Sequence, residues 1–275
     1  MTDNSFLKHF QLAKRVRQHT LECATHGGCF IGAAFSCADI ITYLYTSFLN
    51  VNNPDSPADM NRDYFLLSKG HAVPSLLGIF VEKGWLSKER FASHCTPEDN
   101  IYLHPHPALP GIEFHTGSLG HGIPVALGIA LDIKLKSAKN RVVVLTGDGE
   151  LNEGSIWEAL LVARAQKLNN MLIIVDRNKI QANCITEDLV SLEPLADKFL
   201  SFGLGVRTVD GHSFEDIKTA LDIFPYSDDA PSVLIAQTVR AKGCPSLEGR
   251  IDTWFMNLSK EKAAQLTLEL ENQHA

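Results

Sequence analysis

Asp148 and Asn178, thirty positions apart, are the side chains best placed by type and spacing to do chemistry together. A carboxylate and an amide oxygen make hard oxygen ligation. That suits a magnesium or calcium ion that keeps water and takes its remaining ligands from phosphates. The main-chain carbonyl of Ile180 can add another oxygen. For the pair to meet, two strand ends must lie side by side. The continuous apolar run Val142 to Leu145 predicts a strand buried on both faces of a parallel sheet. It leads into Gly147-Asp148-Gly149, where glycine lets the backbone approach a ligand closely. A helix is expected from about Ser155 to Lys167, then a second apolar strand from Met171 to Val175 that runs into Asp176-Arg177-Asn178. A right-handed crossover brings Asp148 and Asn178 to one rim of the sheet.

Histidines supply the second kind of candidate. His71 ends the segment Ser68-Lys69-Gly70-His71, where a strand (Asp63 to Leu67) meets a helix (Ala72 to Lys83). An imidazole there can meet an anion or simply cap the helix. Four more, His104, His106, His115 and His121, fall between Ile101 and Gly122, with spacings that match neither HExxH nor a zinc finger. Prolines 105, 107 and 110 make this stretch extended and stiff, able to carry a histidine over a site.

The other elements must build the platform. A chain of 275 residues that is 45% hydrophobic can bury a full core as one domain, residues 1–275. Helices are expected at Phe6 to Ala24, Ala38 to Leu49 (capped by Ser36), Ile123 to Leu135, Leu192 to Phe202, Ser213 to Phe224 and Ser259 to Glu271. Further strands are expected at Gly205 to Val209 and Ser232 to Thr238, and residues 50–63 read as a polar surface loop. This alternation predicts an α/β fold, a doubly wound, mostly parallel sheet with helices on both faces and ligands at its carboxyl edge. The apolar helix Ile123 to Leu135 predicts deep burial, in a subunit interface. A net charge of −7 without a basic face argues against nucleic acid or an anionic membrane as partner. Six scattered cysteines without CxxC spacing, and no signal-peptide pattern, point to the reducing cytoplasm.

The run GDGELNEG…KLNNMLIIVDRNKIQ, with SKGH at 68–71 and TGSLGHG at 116–122, resembles the thiamine diphosphate enzymes, and the transketolase family in particular. The resemblance implies the thiamine diphosphate-binding fold, with thiamine diphosphate and Mg2+ (or Ca2+) as cofactors. Gly147, Asp148, Gly149, Glu150, Asn178 and Ile180 would anchor the diphosphate, the metal resting on Asp148, Asn178 and Ile180. His71 would lie near the diphosphate, and Gly117, Ser118 and Leu119 against the cofactor rings. His104 or His106 would face substrate, and Glu153 would couple paired active sites. The substrate side would also take His121, and it holds two departures: Phe30 and Phe255 stand where the family carries histidines. Too few residues follow Ser259 to build the family's pyrimidine-binding domain, which is therefore expected on a separate chain. This implies a partner, a second chain carrying that domain, bound to a homodimer of this one in a heterotetramer. The expected activity is transfer of a two-carbon ketol or acyl unit from a small-molecule donor to an aldehyde. The alternatives are an α-ketoacid donor or a non-catalytic paralogue.

Overall fold

The computed structural model describes residues 4–51 and 61–273, so most of the polar loop expected at 50–63 lies outside the described residues. Five strands form one parallel sheet in the order β1 (Tyr64–Leu67), β2 (Val142–Gly147), β3 (Met171–Arg177), β7 (Ser232–Gln237) and β6 (Gly205–Asp210). A small hairpin, β4 (Ile180–Gln181) with β5 (Cys184–Ile185), follows β3. Central strands of β-branched and leucine residues are buried on both faces because helices cover both. Alternate residues serve the two layers: Val143, Leu145, Leu172, Ile174 and Leu234 enter one core, and Val142, Val144, Ile173, Val175 and Val233 the other.

The first core lies under α1 (Leu7–Ala24), α2 (Ile31–Ser36), α3 (Ala38–Tyr43), α4 (Val73–Glu82), α5 (Lys88–Phe91), α10 (Phe214–Asp222) and α11 (Lys260–Glu271). The second lies under α6 (Gly122–Leu135), α7 (Gly154–Ala165) and α9 (Leu195–Ser201); α8 (Thr186–Leu189) follows the small hairpin. The helix expected from Ala38 to Leu49 begins seven residues earlier and breaks at Cys37, and its last turn widens to a π-helix, Leu44–Phe48. Ser213 and Ser259 cap α10 and α11 through their hydroxyls. The deep burial expected for the apolar helix holds on one face only. Ile123, Ala126, Ala130 and Ile133 of α6 are buried, while Gly128 and Leu135 are exposed, as are Leu161 and Val162 of α7. Among the described residues, no helix is long and apolar enough to cross a membrane.

Candidate functional site

The carboxyl ends of β1, β2, β3 and β7 deliver their polar residues to one rim. Asp176, at the end of β3, is fully buried and draws the others together. Its carboxylate accepts from Ser36 Oγ (2.5 Å), Asn178 Nδ2 (3.3 Å), Lys69 Nζ and Thr238 Oγ1. Lys69 Nζ also donates to the Ala33 carbonyl at 3.0 Å. Burial alone would raise the Asp176 pKa and lower that of Lys69. Each partner's charge reverses the other's shift, so the carboxyl sits below its ordinary value and the ammonium above it. Ser36, expected as a helix cap, serves this knot instead. One consequence is orientational: the Asn178 amide NH2 is anchored on Asp176, so Oδ1 faces the other way and accepts from Ile180 N at 3.1 Å.

Asp148 is also buried, and its hydrogen bonds can be counted. Oδ2 accepts from Arg177 Nη1 (2.9 Å) and Lys179 N (2.6 Å), and Oδ1 accepts from Gly149 N (2.8 Å). A carboxylate offers about four lone-pair sites, so one remains, on Oδ1. Burial pushes the Asp148 pKa up, Asp176 adds to the effect, and Arg177 opposes it. Glu150 is committed elsewhere. Its oxygens accept from Ser68 Oγ, Thr146 Oγ1 (2.6 Å), Gly120 N (2.9 Å) and Gly147 N (3.3 Å), so its carboxylate holds the turns together.

Asp148 and Asn178 line a cavity of about 420 Å³ together with Lys69, His71, Gly147, Gly149, Leu119, Ile180, Arg240 and Trp254. Burial lowers the His71 pKa well below the usual imidazole range, and the charges of Lys69, His104 and Arg240 add to this, so the ring is neutral at pH 7. Arg240 is 2% exposed; its Nη1 donates to the Ala182 carbonyl at 2.8 Å, while Nε and Nη2 have no partner. Gly32 makes room for it, since a Cβ there would stand 2.6 Å from Arg240 Nε. Unpaired buried donors cost on the order of 1–3 kcal/mol. An anion in the cavity would remove that cost. No three His, Cys, Asp or Glu among the described residues are grouped to hold a metal by themselves. A cation here would draw on the free lone pair of Asp148, amide and carbonyl oxygens, and phosphate. The residues present fit a diphosphate with a hard divalent cation.

The remaining candidates separate. His104 packs against Gly70 and Gly117 beside the cavity, with its ring 6.5 Å from that of Phe30. His106 meets Tyr102 and His115 and accepts from Ala108 N at 3.1 Å, and it does not line the cavity. His121 is exposed, and its Nδ1 lies 3.0 Å from Leu119 O and 3.2 Å from Ser118 Oγ. It thus closes its own turn with Ser118 and does not line the cavity. Phe30 and Phe255 are neighbours, their centroids 5.2 Å apart, and Phe30 also meets Trp254 (4.8 Å) and His71 (5.6 Å). They stand beside the cavity wall, and the aromatic that lines it is Trp254. Glu153 is exposed at the rim and packs on Gly120. Sequence reasoning missed Lys69, Asp176, Arg177 and Arg240. Their signal was position, each being a charged residue at or just beyond the carboxyl end of a buried strand.

Comparison with known proteins agrees with this geometry. The family described as transketolase, thiamine diphosphate binding domain, matches residues 11–273. One subunit of the apulose-4-phosphate transketolase of Phocaeicola vulgatus is 38% identical, over 80% of this chain and 78% of its own. The 6-deoxy-6-sulfo-D-fructose transketolase subunit SqwG of a Clostridium species is 31% identical, over 96% of each. Among solved structures, the transketolase of Campylobacter jejuni superposes with a TM-score of 0.86 at 28% identity. That match covers 99% of this chain but 44% of the solved one.

Proposed function

The chain belongs to the transketolase family, and we propose that it is the diphosphate-binding subunit of a split transketolase. In this reading it binds thiamine diphosphate with Mg2+ and transfers a two-carbon ketol unit from a donor to an aldehyde. The observation that carries it is the pairing, in one cavity, of two unpartnered Arg240 donors with the free oxygen sites of Asp148 and Asn178. Bound there, thiamine diphosphate supplies an electron sink for breaking and making a bond beside a carbonyl. Asp148 Oδ1, Asn178 Oδ1 and the Ile180 carbonyl hold the cation, and Arg240 neutralises phosphate charge. Leu119 packs against the rings, with Gly117 and Ser118 shaping its turn. His71, neutral at pH 7, and His104 beside it donate and accept protons at substrate oxygens. The subunit names of the relatives support a partner chain, which in this reading carries the pyrimidine-binding domain. The exposed apolar faces of α6 and α7 support a homodimer at the centre of a heterotetramer. Cysteines that are all free support a cytoplasmic setting.

The test is calorimetry of thiamine diphosphate with Mg2+ on the complex with its partner. Asp148→Ala removes the anionic protein ligand and is expected to abolish metal-dependent binding; Asn178→Ala, which removes a neutral one, is expected to weaken it less. Binding by Asp148→Ala within threefold of wild type would sink the assignment.

A further inference from the structure

Arg177 is fully buried, yet its one guanidinium serves three carboxylates from two segments. Nη1 donates to Asp148 Oδ2 at 2.9 Å, and Nη2 donates to Glu193 Oε1 at 3.0 Å and to Glu187 Oε1. The two glutamates in turn fold the segment that carries them. Glu187 accepts from Ser191 Oγ (2.6 Å), Leu192 N (3.2 Å) and Glu193 N (3.3 Å), and Glu193 Oε2 accepts from Leu195 N (2.8 Å). Leu189 and Val190, in the middle of this segment, are exposed and form a lip of the cavity. The same side chain that, with Lys179 N, fills Asp148 Oδ2 therefore also ties down the lip. Charge points the same way. A guanidinium bonded to Asp148 alone would repel a divalent cation, but two further carboxylates offset it and leave the cluster anionic.

We propose that Arg177 is a positioning residue that couples the two. It fixes Asp148 as a one-oxygen ligand and orders the 186–193 lip, so that cation loading and lip ordering are a single equilibrium. This rests on the metal–diphosphate reading above. The test uses the full chain with its partner, thiamine diphosphate, and Mn2+ titrated by electron paramagnetic resonance, with hydrogen exchange followed across 186–193. In wild type, loading is expected to slow exchange at Ser191 to Glu193, beyond the residues that line the cavity. The double variant Glu187→Gln/Glu193→Gln leaves Asp148 and Arg177 in place. It is expected to raise the Mn2+ Kd tenfold or more and to speed exchange of the lip before loading. Arg177→Lys, which keeps charge but replaces the planar fork spanning Asp148 and the two glutamates with a single nitrogen, should do the same. Faster exchange with Mn2+ affinity within twofold of wild type would reduce Arg177 to a structural staple and overturn the coupling. Unchanged exchange on loading of wild type would overturn it as well. Failure of wild type to bind Mn2+ with thiamine diphosphate is a different result, and it removes the underlying reading.

Discussion

Arg240→Met separates the cost of an unpaired cation from its use. In the cofactor-free chain the guanidinium keeps Nε and Nη2 buried without partners, which costs on the order of 1–3 kcal/mol. Methionine fills a similar volume without polar atoms. The change also removes the Nη1 bond to Ala182 O and the stacking over Trp254 at 5.4 Å, together worth roughly 1–2 kcal/mol. The two sums nearly cancel, so cofactor-free stability is expected to stay within about 1 kcal/mol of wild type. A shift of about 2–4 °C in Tm, of either sign, bounds that change. Cofactor affinity should behave differently. Two charge-assisted hydrogen bonds to phosphate oxygens at about 1.5 kcal/mol or more each are lost, at least 3 kcal/mol together, or roughly a hundredfold in Kd. Thermal melts give the first quantity and calorimetry with thiamine diphosphate and Mg2+ the second. Unchanged affinity would refute the placement of the diphosphate beside Arg240. A collapse of cofactor-free stability would refute the claim that its donors are a liability until an anion arrives.

Phe30→His with Phe255→His should move the kcat/KM ratio toward sugar-phosphate acceptors over a small apolar aldehyde, by roughly tenfold or more and beyond either single change. A ratio flat across the four proteins would make these rings packing residues. Glu153→Gln should lower activity far more than Tm, since the carboxylate is exposed at the rim; small equal losses would leave it a charge at the N-cap of α7 worth under about 1 kcal/mol. Burial pushes the Asp39 pKa up, but Arg17 and His212 outweigh it and hold the carboxyl at about 2. A depressed carboxyl stabilises the fold above its unfolded value and loses that contribution as pH falls through the folded one. The stability difference between wild type and Asp39→Asn should therefore narrow by about 2 kcal/mol between pH 5 and pH 2 in urea titrations. A pH-independent difference would show that the Arg17 pair contributes no charge coupling.

Hydrophobic pattern carried most of the architecture, because a strand buried on both faces must be continuously apolar and few other elements look like that. β2 and β3 read directly, and with them the meeting of Asp148 and Asn178 at one rim. What pattern could not supply was direction. His104 and His106 share a proline-stiffened loop and the same chemistry, and the packing of His104 on Gly117 and Gly70 is what turns one inward. Ser36 has the composition of a cap, yet a buried carboxylate 140 positions away claims its hydroxyl. Arg177 and Arg240 were invisible as site residues for the same reason: their partners come from distant segments, and charge at a strand end is ambiguous until those segments are in place.

The ties that shape the rim also set an order of assembly. Ser68 to Glu150, Lys69 to Asp176 and Ser36 to Asp176 close loops of 82, 107 and 140 residues, and such closures bear their entropy cost before any bond rewards them. β7 lies second from one edge of the sheet although it is the last strand to leave a ribosome. Until it arrives, Asp176 lacks Thr238 and β3 lacks a neighbour on one side. A nascent or truncated chain ending before Ser232 therefore carries Asp148, Asn178 and His71 without forming their pocket. It presents instead a long, apolar, unpaired strand edge, the template on which unfinished chains aggregate.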